Sequence, residues 1–182
     1  MKKITGLFLA GLLCCLCGCS AEEQKPSETE NVFQNMEGSA EEGYSVKNLE
    51  WGMAEEAVRE AAGEESLEAD GDRLIATSES GDVQYAEIYI FADETRQNLV
   101  TVEYTWNSQE KDSFSSVSDA LYQYAADAME ETDAGSKLTE EMMETGATWT
   151  GSDGSMVQIL SSGQSAISVR LHAPRQAPAT LG

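Results

Sequence analysis

Beyond its twentieth residue this 182-residue chain contains no cysteine, and it holds one histidine and three prolines in all. Cys14, Cys15, Cys17 and Cys19 are crowded into the start, so the body of the chain can form no disulfide, no thiol nucleophile and no cysteine-based zinc site. A lone His172 excludes the paired-histidine spacing of a metalloprotease helix. Basic residues are also scarce. Eleven Lys and Arg stand against 33 Asp and Glu, for a net charge of −22, and no basic stripe is present to release counterions from phosphate. Nucleic acid is thereby excluded as a partner. There is neither a Gly-x-Ser-x-Gly nucleophile turn nor a glycine-rich loop with a lysine to cradle phosphate. The long apolar run, Ile4 to Leu16, falls short of the roughly 20 residues that a membrane-crossing helix needs.

What that run does offer is a leader. Lys2 and Lys3 precede it, and Leu16, Cys17, Gly18 and Cys19 follow in a pattern of apolar, any, small, cysteine. This resembles the lipobox of a bacterial lipoprotein signal peptide. The resemblance implies that residues 1–18 are a signal peptide, that Cys19 becomes the first residue and carries the lipid, and that the protein is held to a membrane on its non-cytoplasmic side. Cys15 and Cys17 lack the small residue before them. One acyl chain binds membranes only marginally, so stable anchoring calls for two or three.

Residues 19–44 are dense in glutamate, from Glu22 and Glu23 to Glu41 and Glu42, with Val32, Phe33 and Met36 as the few large apolar side chains. Such a stretch buries too little to fold and is expected to be an acidic, extended tether. A single domain is expected over residues 45–172, and residues 173–182, with Pro174 and Pro178, read as a loose tail.

Within the domain, Met53, Ala57, Val58, Ala61 and Ala62 recur at helical spacing and stop at Gly63. Strands follow at Leu74 to Thr77, Val83 to Phe91 and Leu99 to Trp106. The second places Val83, Tyr85, Tyr89 and Phe91 on one side and Ala86, Ile88 and Ile90 on the other. Phe114, Val117, Leu121, Tyr124, Ala125, Ala128 and Met129 then mark one face of a longer helix over Ser113 to Thr132. Three more strands are expected at Ala147 to Thr150, Met156 to Leu160 and Ala166 to His172. The fold class is therefore α+β: two helix-plus-three-strand units whose strands join in one twisted antiparallel sheet, with the helices packed on one face.

The entry to the first helix, Trp51-Gly52-Met53-Ala54-Glu55-Glu56-Ala57-Val58, resembles the Trp-Gly-Met helix entry of small bacterial envelope lipoproteins. It is similar to the helix-plus-sheet units of the beta-lactamase inhibitory protein and of small outer-membrane assembly lipoproteins. That likeness implies a sheet that binds other proteins without catalysis. Ala54 stands where those motifs usually carry a capping Ser or Thr.

Candidate chemistry is sparse. Adjacent acidic pairs such as Glu55-Glu56 and Glu140-Glu141 diverge on a helix, and the loops at Asp93-Glu94 and Asp153 lack the oxygen density of a calcium loop, so no metal or cofactor is expected. Glu87 and Glu103 lie within apolar strands, and if they shared a face they could act as the carboxylate pair of a glycan hydrolase, which is the alternative reading. Tyr85, Tyr89, Tyr104 and Trp106 are the candidate binding surface if they line an open sheet face, and otherwise they close the core under the helices. The expected function is a lipid-anchored, non-catalytic module that binds a protein or another ligand.

Overall fold

The structure, a computed structural model, describes residues 32–63, 67–129, 146–162 and 165–174. The expected signal peptide, Cys19, the first part of the tether and residues 175–182 lie outside the described residues.

Alternation sets the sheet. Along β1 (Met36–Ser39) and β2 (Gly43–Val46) a small hairpin forms, and after helix α1 (Glu55–Ala62) come β3 (Glu68–Asp70), β4 (Arg73–Ser80), β5 (Val83–Phe91) and β6 (Leu99–Asn107). Helix α2 (Lys111–Met129) leads to β7 (Ala147–Thr150), β8 (Met156–Ser162) and β9 (Ala166–His172). The seven strands β3 to β9 form one antiparallel sheet in the order β3-β4-β5-β6-β9-β8-β7. Each helix is thus followed by its own strands, and the last strands of the two units, β6 and β9, pair at the centre. The unit order read from the sequence holds, with the three-residue β3 added to the first unit.

The pairing register fixes what each side of the sheet carries, because directly opposed residues of an antiparallel pair point the same way. One side shows the rows Leu74-Tyr89-Val102-Leu171-Val157-Trp149 and Ala76-Glu87-Tyr104-Val169-Ile159-Ala147. Every buried apolar residue of the sheet belongs to this side, together with Phe91, Leu99, Trp106 and Ile167. Val58 of α1 and Leu121, Tyr122 and Ala125 of α2 complete the same cluster. The Tyr122 hydroxyl reaches Ser161 on this side, while burial pushes its pKa up.

Helix α1 begins from a corner stitched by backbone bonds: the Gly52 amide donates to the Leu99 carbonyl, and the Leu99 amide returns a bond to Met53. Ala54 has the extended backbone of an N-cap but offers no side-chain acceptor. Gly63 ends the helix in the left-handed conformation. On the outer side Glu55 accepts from Arg59 one turn later and from Arg96 across the β5–β6 turn, at 2.8 and 2.6 Å. These two cations hold the Glu55 carboxyl below its ordinary pKa, the Arg96 bond contributing most.

The expected tether at 19–44 requires correction. Its last part is folded: Val32 and Phe33 are buried, Tyr44 is 3% exposed, and β1 and β2 pair within it. The hairpin docks on the β7–β8 turn, where the Tyr44 amide donates to the Ser155 hydroxyl at 2.6 Å and the Ser152 hydroxyl donates to the Glu41 carbonyl at 2.6 Å. Contact is close enough that a Cβ on Gly151 would stand 2.6 Å from the Gly43 Cα. Inside the hairpin Gly38 has φ +99°, and a side chain there would run into the Gly43 carbonyl. The acidic composition is real, but the few apolar residues have a core to enter, so the domain begins at or before residue 32.

Candidate functional site: the uncovered face of the sheet

Opposite the core side the sheet carries rows of another kind. Ile75-Ile88-Glu103-Arg170-Gln158-Thr148 crosses β4 to β7, flanked by Arg73-Ile90-Thr101-His172-Met156-Thr150 and by Thr77-Ala86-Thr105-Ser168-Leu160, and the edge strand β3 adds Glu68 beside Ile75 and Asp70 beside Arg73. Ile75, Ile88, Ile90, Met156 and Leu160 are half-buried, whereas the buried residues of this side are polar: Thr101, Glu103 and Ser168. The apolar residues sit on β4, β5 and β8, at both flanks, with a polar ridge along β6 and β9 between them.

The ridge is internally bonded. Glu103 meets Arg170 at 2.8 Å and accepts from the Thr105 hydroxyl at 3.2 Å. Arg170 Nε is buried with no hydrogen-bond partner among the described residues. His172 lies between Thr101 Oγ1 at 3.0 Å from Nδ1 and Gln158 Oε1 at 2.9 Å from Nε2. Gln158 gives its amide nitrogen to Thr148 at 3.2 Å, so its oxygen accepts from Nε2, and Nδ1 is left to accept the Thr101 hydroxyl proton. The chain Thr101-His172-Gln158-Thr148 thus spans four strands with a neutral imidazole. Burial lowers the His172 pKa, Arg170 lowers it further, and Glu103 partly opposes them.

A cleft of about 550 Å³ opens at one end of this face. Trp51, Asn98, Thr101, Met156, His172 and Pro174 are among its walls, and none of its lining residues is a carboxylate. The other end holds a smaller, acidic hollow of about 300 Å³ beside Glu79, Asp82 and Glu110. Asp82 there accepts from Ser108 at 2.8 Å and Ser113 at 3.0 Å, which holds its carboxyl below the ordinary range and ties the start of α2 to the β4–β5 turn.

The residues singled out from the sequence fall elsewhere. Tyr89, Tyr104 and Trp106 are each 2% exposed on the helix-covered side, and Tyr85 stacks at a tilt against Trp106 with ring centroids 5.3 Å apart. Tyr89, Tyr104 and Trp106 are core and Tyr85 packs half-buried against it, so the expected binding surface is corrected. Burial drives the Tyr104 hydroxyl pKa well up, with Glu87 adding to the effect. Glu87 faces Tyr104 across the β5–β6 pair and accepts from Tyr89 at 2.6 Å, whereas Glu103 faces Ile88. The two carboxylates therefore lie on opposite sides of the sheet and cannot converge on one bond. Ile75, Ile88, Ile90, Met156, Leu160 and Gln158 were not singled out as a surface. The available signal was the polarity of Thr101, Glu103 and Thr105, which in register mark the Ile88 side as the one away from the core.

Among the described residues no helix is long and apolar enough to cross a membrane, and no three His, Cys, Asp or Glu are grouped to hold a metal ion. The chain matches no family model, no curated protein sequence and no solved structure.

Proposed function

We propose that this protein is a lipid-anchored module on the outer side of a membrane, fixed through Cys19, and that its uncovered sheet face recognises another protein without catalysis. The observation that carries the reading is the face itself. Over the strands β4 to β9, a chain with 33 acidic residues presents three rows in which the one carboxylate, Glu103, is neutralised by Arg170, and Glu68 and Asp70 continue two of these rows on the edge strand β3. Half-buried isoleucines, a methionine and a leucine flank that neutral ridge. A sheet side on which none of the described helices packs, carrying apolar residues beside a hydrogen-bonded polar ridge, has the make-up of a protein interface with a dry flank and a polar centre. The lipobox-like leader supplies the anchor, and the acidic residues that precede the domain suit a spacer that stands off an anionic bilayer.

Two measurements test it. Mass spectrometry of the protein isolated from its own cells is expected to find an acylated Cys19 at the mature terminus, and Cys19→Ser is expected to abolish both acylation and membrane retention. A photo-reactive phenylalanine analogue at position 88 or 160 is expected to crosslink to another protein in intact cells, while the same analogue at Glu56 on the outer side of α1 gives no adduct. A soluble, unacylated product, or crosslinking from position 56 alone, would refute the corresponding half of the reading.

A further inference from the structure

We infer that the cleft at the end of the uncovered face is a binding site for an uncharged sugar, with Trp51 as its apolar wall and Asn98 as its polar contact. The cleft is a separate site from the sheet rows, and the inference comes from the chemistry that its walls leave unused. Its volume is about 550 Å³, within the roughly 300–1,000 Å³ usual for small-ligand sites. Most polar groups of the wall are already engaged. Trp51 Nε1 donates to the Tyr44 carbonyl at 3.0 Å, so the indole brings only carbon to the cleft. His172 is held at both ring nitrogens, and the Thr101 hydroxyl gives its proton to that ring. The backbone is engaged too: the Gly52 amide donates to the Leu99 carbonyl, and the Ala173 amide donates to the Val100 carbonyl. Asn98 is the exception. Its half-buried side-chain amide makes no hydrogen bond among the described residues. Asn98 Oδ1 lies 3.6 Å from where a Cβ on Gly52 would stand, and beyond the chain neighbours of Gly52 no other residue comes within 4 Å of that point. The amide thus sits at the cleft wall beside bare, exposed backbone.

This inventory selects the ligand. No Asp, Glu, Lys or Arg lines the cleft, and the His172 ring is neutral. A carboxylate or phosphate would meet the repulsion of a chain of net charge −22 with no cation in contact, and a cationic ligand would find no carboxylate. A wholly apolar ligand would take water from the Asn98 amide and return no hydrogen bond. What fits is a neutral molecule with one carbon face and an edge that both donates and accepts. A pyranose has this form. Its C–H face lies against aromatic and aliphatic carbon, and two adjacent hydroxyls match the N–H and C=O of one amide. Trp51, Val100, Met156 and Pro174 supply the carbon, and the open side of the cleft leaves the other hydroxyls in water.

Titration of the full-length chain in a detergent without a sugar headgroup tests the site, read by tryptophan fluorescence and by saturation-transfer NMR. The probes are glucose, galactose, mannose, N-acetylglucosamine, lactose, maltose and cellobiose. Trp106 and Trp149 are buried, so a sugar in the cleft perturbs the emission of the half-buried Trp51. At least one probe is expected to bind with a dissociation constant of about 1 mM or tighter. Asn98→Ala removes no hydrogen bond made by that side chain within the fold and is expected to raise the constant at least tenfold. Trp51→Ala is expected to abolish both the emission change and the saturation transfer; if that variant does not unfold cooperatively in urea, Asn98→Ala decides alone. Glucuronic and galacturonic acids are expected not to bind. Absence of binding by every one of these sugars, binding that ignores Asn98→Ala, or uronic acids that bind as well as neutral sugars would overturn the inference. Crosslinking from positions 88 and 160 reports separately on recognition of a protein, so either reading can fail without the other.

Discussion

His172 shows how a single half-buried ring can govern the stability of the sheet. It is the one histidine of the chain, held neutral between Thr101 and Gln158, and burial and Arg170 keep its pKa below 6.5 in the folded state. In the unfolded chain the ring protonates near 6.5. The unfolded state thus binds more protons in the window below 6.5, and stability rises with pH there. The contribution is fully present above 6.5 and is lost as pH falls from 6.5 through the folded pKa. Urea denaturation between pH 7.5 and 5 is expected to show this loss, and His172→Gln is expected to flatten it while leaving the carboxylate-driven loss at lower pH. An unchanged slope in the variant would assign the effect to other groups. Glu55 acts in the opposite range: Arg96 and Arg59 depress its pKa, so its stabilisation is present above the ordinary glutamate pKa and is lost on acidification below it.

At the scale of elements, helix α1 is short of one local interaction. Its backbone at Ala54 is already extended as an N-cap should be, but alanine cannot accept a bond from the first-turn amides. Ala54→Ser is expected to stabilise the protein by about 1 kcal/mol, which in urea moves the midpoint up by about 0.5 M at an m value of about 2 kcal/mol/M. A midpoint that stays in place would mean that water or a neighbour already satisfies those amides. The sequence motif showed this gap before the structure did, and much else at this scale was similarly legible. Strong alternation marked β5, and β7 and β9 have the expected bounds. The stripe from Phe114 to Met129 placed α2 to within a few residues. What alternation could not reveal was which side of β5 meets the helices, since Tyr85 and Tyr89 on one side and Ile88 and Ile90 on the other are both apolar. The answer lies in the neighbouring strand, where Tyr104 and Trp106 share a side with the tyrosines and Glu103 shares a side with Ile88. The β1–β2 hairpin was illegible for a different reason. Its residues are mostly Gly, Ser and Glu, and the groups that hold it down lie in the β7–β8 turn, far along the chain.

For the whole molecule, charge is the dominant long-range term. With 33 acidic and 11 basic residues, folding gathers like charges into a smaller volume, and the cost falls as salt screens them. The melting temperature is therefore expected to rise between 10 and 300 mM sodium chloride. A fall would mean that local ion pairs such as Glu55 with Arg96 outweigh the global repulsion.

The docking of the hairpin on the β7–β8 turn carries a temporal consequence. The Tyr44 amide and the Ser155 hydroxyl are 111 positions apart, and the loop they close contains both helices and most of the sheet. Loop closure over such a span is costly until the intervening segments have condensed. Residues 32 to 46 leave the ribosome early and are accordingly among the last to reach their native place, and Val32, Phe33 and Tyr44 remain in water until Ser155 has been made. A chaperone that shields this early segment would meet the protein at its most vulnerable moment, before its final third exists.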